Sequence, residues 1–275
     1  MKTQENLFKR STQWLALGVV SSLLIGCANT PNTQQQLSQQ TQAGVLWMQQ
    51  SGEYQALAHQ AFNIAKLIFD NTVLPSNQIK TVIVDLDETM IDNSPYAAWQ
   101  ILENQRFTPD TWKQWVNAKQ ATAIPGAVEF AHHVVNNGGK LFYVSNRKQD
   151  GEYQATLDNL IALGFPEVNS QTLRLKTDTS NKDTRFEQIR EAGYQVIMHI
   201  GDNLGDFAGE PTYHKDNQTR RDFVEMHKDK FGIQYIVLPN PSYGDWEAGL
   251  AKDYYKLDAD KLYQLRQERL KKWQN

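Results

Sequence analysis

Cysteine is nearly absent from this sequence: Cys27 is the one thiol in 275 residues. That excludes an intramolecular disulfide and any cysteine-built zinc or haem-attachment motif, so stability has to come from a buried core. An excess of one charge sign is missing too. The 28 basic and 31 acidic residues leave a net charge of −3, and no block of like charges offers a surface to a nucleic acid polymer. No Walker phosphate loop, no Gly-x-Gly-x-x-Gly fingerprint and no His-Glu-x-x-His zinc motif occurs. Histidine chemistry has little to work with. His132 and His133 are adjacent and face different sides of a helix, and no histidine follows an arginine and precedes a glycine as a phosphohistidine site requires.

Long apolar runs are also lacking. The longest, Trp14 to Ile25, follows Lys2, Lys9 and Arg10 and ends in Leu24-Ile25-Gly26-Cys27. It is too short, and too soon followed by polar residues, for a spanning helix. Residues 1–26 are therefore expected to be a signal peptide, with a plain signal anchor as the simpler alternative. The Asn-, Thr- and Gln-rich stretch after it, residues 27–43, is expected to be a flexible tether.

What is present reads as one α/β body over residues 44–275, with 40% hydrophobic residues to fill its core. Between Val45 and Phe69 apolar residues recur at three- and four-residue spacing, broken at Ser51-Gly52, which predicts two helices. Continuous apolar runs then follow at Thr81–Val84, Leu141–Val144, Leu173–Leu175, Val196–Ile200 and Tyr235–Leu238. Strands buried on both faces of a parallel sheet look like this, and the spacers are long enough for crossover helices. A doubly wound parallel sheet is predicted, with its core over about 78–92 and 124–275. The long stretch between the first two strands has helix starts at Ser94-Pro95, Thr108-Pro109 and Ile124-Pro125. It predicts a small helical cap, assigned residues 44–77 and 93–123. A closing helix is expected between Asp258 and Trp273.

The polar residues that follow the strands carry the chemistry. Ligands of open parallel sheets sit at the carboxyl ends of the strands. Those ends supply Asp85 and Asp87, Ser145 and Asn146, Lys182 a little further on, and Asp202 with Asp206. A carboxylate approaching a phosphate meets repulsion on the order of 4 kcal/mol per unit charge pair at an effective dielectric of 20. That amounts to roughly three decades in rate, which a divalent cation and a lysine can remove. Asp85 and Asp202 offer hard oxygen ligands suited to Mg²⁺, Lys182 adds positive charge, and the Ser145 hydroxyl can bind phosphate oxygens. Two residues apart on extended chain, Asp85 and Asp87 point to one side, as nucleophile and acid/base would need to.

At these residues the sequence resembles the haloacid dehalogenase phosphatases, through Val84-Asp85-Leu86-Asp87-Glu88-Thr89-Met90, Val144-Ser145-Asn146-Arg147, Lys182 and Gly201-Asp202-Asn203-Leu204-Gly205-Asp206-Phe207. Three further segments, Trp47 to Tyr54, Asp92 to Tyr96 and Leu238-Pro239-Asn240, are similar to the class C nonspecific acid phosphatases of the lipoprotein e group. The resemblance implies a haloacid dehalogenase-like α/β fold and one Mg²⁺ per chain. That ion would be held by the Asp85 side chain, the Asp87 backbone carbonyl and Asp202, with Asp206 behind them. It also implies hydrolysis of nucleoside 5′-monophosphates and nicotinamide mononucleotide through an aspartyl-phosphate, Ser145, Asn146 and Lys182 as phosphate-binding residues, and Trp112, Tyr243 and Trp246 around the base or ring of the substrate. A homodimer is implied as well. Leu24 to Cys27 resembles the bacterial lipobox, so Cys27 would carry lipid, and Ala28 after it favours the outer membrane. Two other functions stay open on the same sequence: a phosphotransferase, and a surface lipoprotein binding haem or a host component.

Overall fold

The computed structural model describes residues 32–274, so the expected signal peptide, Cys27 and the first part of the tether lie outside the described residues. The Asn32 side chain accepts from the Gln35 backbone N–H and opens α1, Thr33–Gln50. Ser51 ends α1 and in turn caps α2, Gly52–Asn71, through the Tyr54 N–H. The break expected at Ser51-Gly52 is therefore one residue acting as the stop of one helix and the start of the next.

The tether expected over 27–43 is corrected from Asn32 onward. Glutamine is nearly as good a helix former as leucine. Leu37 on this segment is buried in a small cluster with Tyr254 and Leu262, which anchors α1 in the body. Its polar composition hid the buried Leu37, and Gln40 adds a hydrogen bond from Arg266 of α10.

Next come β1, Lys80–Val84; β2, Ile91–Asp92; α3, Ser94–Leu102; α4, Pro109–Ala118; β3, Thr122–Ala123; and α5, Ala127–Asn136. They are followed by β4, Lys140–Lys148; α6, Gln149–Ala162; β5, Leu173–Lys176; α7, Asp183–Glu191; and β6, Gln195–Gly201. The chain closes with α8, Asn217–Met226; β7, Tyr235–Val237; α9, Asp245–Ala248; and α10, Ala259–Arg269, the helix expected near the end. The five predicted strands form one sheet in the order β5-β4-β1-β6-β7, parallel throughout. A second, two-stranded antiparallel pair, β2 with β3, was not foreseen: strands of two residues carry no periodicity.

Alternation along β1 decides what covers each face of the sheet. Val82 and Val84 pack with Phe62 and Phe69 of α2 and with Phe130 and Val134 of α5, all in one cluster. Ile83 points the other way, to Phe142, Val144 and the α7 residues Phe186 and Ile189. Each fully buried side chain of this size contributes about 1.5–3 kcal/mol relative to exposure. Of the helical part assigned to 44–77, α2 instead covers the main core with Phe62, Ala65 and Phe69, while α1 packs against α3. Pro95 and Pro109 sit at helix starts as expected, whereas Pro125 lies ahead of α5, which begins after Gly126 in a left-handed conformation at φ 87°. Among the described residues, no helix is long and apolar enough to cross a membrane.

Because β1 is central, with β4 on one side and β6 on the other, the strand order reverses there. A crevice opens at the carboxyl end of such a switch point.

Candidate active site

Asp85 follows β1 directly and is anchored by its own backbone N–H, which donates to the Ile200 carbonyl at 2.9 Å. Leu86 is fully buried, so the alternation that sinks it turns Asp85 and Asp87 to the opposite side. The chain then folds back tightly, with Met90 and Ile91 N–H both donating to the Leu86 carbonyl and Glu88 held at φ 57°.

Around Asp85 the expected groups converge. Lys182 Nζ donates to Asp85 Oδ1 and lies 2.7 Å from Asp206 Oδ1. Carboxylate oxygens of Asp85, Asp202 and Asp206 lie within 4.8 Å of one another. Asp202 accepts from Thr89 Oγ1 at 3.2 Å and from Asn240 Nδ2 at 2.8 Å, and has no cation within salt-bridge distance among the described residues. Asp206 does two jobs, since its Oδ2 also accepts the Asn203 N–H at 2.9 Å and closes a capping box.

Burial pushes the Asp85 carboxyl well above the usual carboxylate range against the pull of Lys182, and the charges of Asp206, Asp202 and Asp87 push the same way. Asp202 is pushed up to about 8, by burial first and then by Asp206. Burial works against the charge on Lys182, yet Asp206 and Asp85 together raise its pKa. Three gathered carboxylates with one lysine are short of positive charge, and hard oxygen donors of this kind suit a divalent cation. The residues present fit such an ion.

Asp87 stands beside this cluster in a different setting. Its Oδ1 accepts from Arg147 Nε at 2.9 Å and from Asn93 Nδ2 at 2.9 Å and lies 2.8 Å from Arg147 Nη2 in an ion pair, while Oδ2 accepts from Ser145 Oγ at 3.1 Å. Arg147 is 1% exposed and donates further to Asn93 Oδ1, and its guanidinium lies 5.6 Å from the Trp112 ring centre. Glu88, equally buried, accepts from the Asn93 N–H at 2.8 Å and from the Tyr243 hydroxyl. Its pKa is pushed up to about 8, by burial first and then by Asp87.

The structure therefore brings Asp85, Asp87, Asp202, Asp206, Lys182 and Ser145 together. Asn146 is exposed, on the other side of β4 from Ser145 and Arg147, and its Oδ1 accepts from Arg185 at 2.7 Å. Tyr243 and Trp246 are partly exposed neighbours, joined by a Trp246 Nε1 bond to the Tyr243 carbonyl at 3.2 Å; the Tyr243 hydroxyl reaches down to Glu88. Trp112 lies under the Arg147 guanidinium, beside Tyr96 and Phe107. Sequence reasoning gave no role to Arg147, Glu88, Asn93 or Asn240. For Arg147 a signal existed, because two-residue alternation puts it on the Ser145 side of the strand.

A parallel α/β sheet with this cluster at its switch point defines a haloacid dehalogenase-type protein, and comparison with known families agrees. The chain belongs to the HAD superfamily, subfamily IIIB (acid phosphatase), whose family model matches residues 9–246. It is similar to the class C acid phosphatase from Bacillus anthracis, with a TM-score of 0.81 and 31% identity over 86% of this chain and 99% of that one. A second structure of the Bacillus anthracis protein, with tungstate bound, is 32% identical at the same TM-score over the same shares of both chains. Acid phosphatase 1 of Solanum lycopersicum is 27% identical over 132 residues, 46% of this chain and 51% of that protein. The stem 28 kDa glycoprotein of Glycine max is 26% identical over 135 residues, 47% of this chain and 53% of that protein. The chain thus spans about half the length of the plant relatives it matches.

Proposed function

We propose that this protein is a Mg²⁺-dependent acid phosphomonoesterase that hydrolyses nucleoside 5′-monophosphates, nicotinamide mononucleotide and similar small phosphomonoesters through an aspartyl-phosphate on Asp85. The observation that carries the reading is the meeting of Asp85, Asp202 and Asp206, with Lys182 paired to Asp85 and Asp206 and with Asp87 two residues further along the chain. Tungstate is a tetrahedral oxyanion like phosphate, and its presence in the Bacillus anthracis relative supports a phosphoryl ligand here. Asp85, the Asp87 backbone carbonyl and Asp202 would hold the ion, whose positive charge would offset the phosphate oxygens.

The chain's own groups supply the rest. Asp85 attacks phosphorus, and the phosphorus–oxygen ester bond breaks. Asp87 gives a proton to the departing alcohol, then takes one from the water that attacks the aspartyl-phosphate and frees phosphate. Oδ1 of Asp87 faces only N–H donors, which cannot accept, whereas Oδ2 faces a hydroxyl that can turn and accept. The transferred proton therefore resides on Oδ2. Lys182 offsets charge on the phosphate, and Tyr243, Trp246 and Trp112 offer flat faces to a base or pyridine ring.

The test uses an aryl phosphate and a panel of nucleoside monophosphates, nicotinamide mononucleotide and sugar phosphates with Mg²⁺ at mildly acidic pH. Turnover is expected in the wild type and none in Asp85→Asn; full activity in that variant would reject the covalent mechanism. We further propose a lipid on Cys27 and an outer-membrane location, from the lipobox likeness alone. Labelling with a radioactive fatty acid should mark the wild type and not Cys27→Ser.

A further inference from the structure

Two lysines stand side by side at the carboxyl ends of the sheet with no ion pair among the described residues. Lys148 ends β4, Lys176 ends β5, and the two are register partners across these parallel strands. Like charges directly opposite one another destabilise a sheet unless something neutralises them. Lys176 Nζ reaches only the Ser180 hydroxyl at 3.2 Å, and neither lysine has a carboxylate within salt-bridge distance among the described residues. Arg185 completes the group. It is buried, bonds the Ser145 carbonyl at 2.6 Å and Asn146 Oδ1 at 2.7 Å, and feels the charges of Asp85 and Asp206. Burial first, then the Lys148 charge, lowers the Lys176 pKa, with Arg185 adding to the effect and Glu152 opposing it. Two carboxylates lie near the group without forming an ion pair with either lysine: Glu152 accepts the Lys148 backbone N–H at 2.7 Å, and the exposed Asp178, whose charge acts on Arg185, caps the Thr179 N–H at 2.7 Å. Arg174, two residues before Lys176 on the same strand face, has a buried Nε without a hydrogen-bond partner among the described residues.

We infer that Lys148, Lys176 and Arg185 form a subsite for a second phosphate carried by the substrate itself, so that the enzyme prefers bisphosphorylated small molecules, such as a nucleoside 3′,5′-bisphosphate, over their monophosphates. The inference rests on the proposed phosphatase reading for where the first phosphate sits. Arg185 is the link between the two places, because it touches the Ser145-Asn146 segment on one side and shares the lysines' field on the other. A carboxylate would neutralise only half of the cation pair and a neutral sugar none of it, whereas a phosphate dianion matches its charge.

The experiment compares adenosine 5′-monophosphate with adenosine 3′,5′-bisphosphate, in the wild type and in the double variant Lys148→Gln/Lys176→Gln. Wild-type kcat/KM for loss of the 5′-phosphate should be roughly tenfold higher for the bisphosphate, about the worth of one charge-assisted contact. The double variant should bring the ratio to about one, and Lys176→Arg should restore it, which a purely structural effect on the strand would not do. A wild-type ratio near one, or a ratio the double variant does not move, overturns the inference. Calorimetric affinities of the same two ligands read the subsite without turnover, so a chain that binds the bisphosphate tenfold tighter but hydrolyses nothing would sink the phosphatase reading alone. Equal affinity for the monophosphate with added sulfate would assign the cluster to a free anion and overturn the linked second phosphate.

Discussion

Gly201 and Asp206 touch as closely as a residue without a side chain permits: a Cβ built on Gly201 would lie 2.3 Å from the Asp206 Cβ and Oδ2. The glycine at the end of β6 thus lets the carboxylate that braces Lys182 lie flat against the strand. Gly201→Ala has to push Asp206 aside, and overpacking of this kind costs about 1–3 kcal/mol. The expected outcome is a lower urea midpoint together with at least a tenfold loss in kcat/KM. A variant with wild-type values of both would show that Asp206 has no fixed role.

Arg147, nearly fully buried, pairs with Asp87, whose side chain is 14% exposed, and removing Asp87 strands the arginine's charge. Arg147→Met should destabilise the fold by about 3–5 kcal/mol. Asp87→Asn in the same chain should recover part of that loss, and a double-mutant cycle from denaturant melts measures the coupling. Simple additivity of the two changes would argue against the pair.

Without a bound metal, the protein should lose stability as the pH rises from about 5 to 8. Glu88 and Asp202 both have folded pKa values of about 8, above their ordinary carboxylate values. Between those limits the folded state keeps protons that the unfolded chain has released, so stability is fullest at low pH and falls as the groups ionise. The slope approaches about 1.4 kcal/mol per pH unit for each group that differs fully. Thermal melts across this range in chelator should show the decline, and added Mg²⁺ should flatten it. A flat profile in chelator would refute the assignment.

Tyr243 and Trp246 should matter to the ring of the substrate and not to its phosphate. Trp246→Ala is expected to raise KM for a nucleoside monophosphate about tenfold, within the roughly 1–3 kcal/mol found for stacking on a base. KM for a small alkyl phosphate should stay within twofold. Steady-state kinetics on both substrates decides it, and equal losses on the two would remove these rings from recognition.

The five strands were legible because strands buried on both faces have to be continuously apolar, and Thr81–Val84 or Val196–Ile200 allow little else. Asp85, Asp87, Asp202 and Asp206 were legible because they follow those runs. What escaped notice depends on partners distant in the chain. Arg147 meets Asp87 across 60 positions, Asn240 meets Asp202 across 38, and Tyr243 meets Glu88 across 155. Alternation along β4 places Arg147 on the Ser145 side, but no local pattern says which distant residue each of these groups meets. The start of α1 was missed for the related reason that Leu37 finds its apolar partners on α10 and the segment before it, at the other end of the sequence.

The central place of β1 also governs how the protein fails. Asp85 is carried by a strand bonded on both edges and covered on both faces, so its amides belong among the slowest to exchange with solvent. Fraying of α1 or α10 leaves that strand, Lys182 and Asp202 in place. Heat should therefore extinguish the chemistry only when the whole body melts, with no long interval of folded but inert molecules.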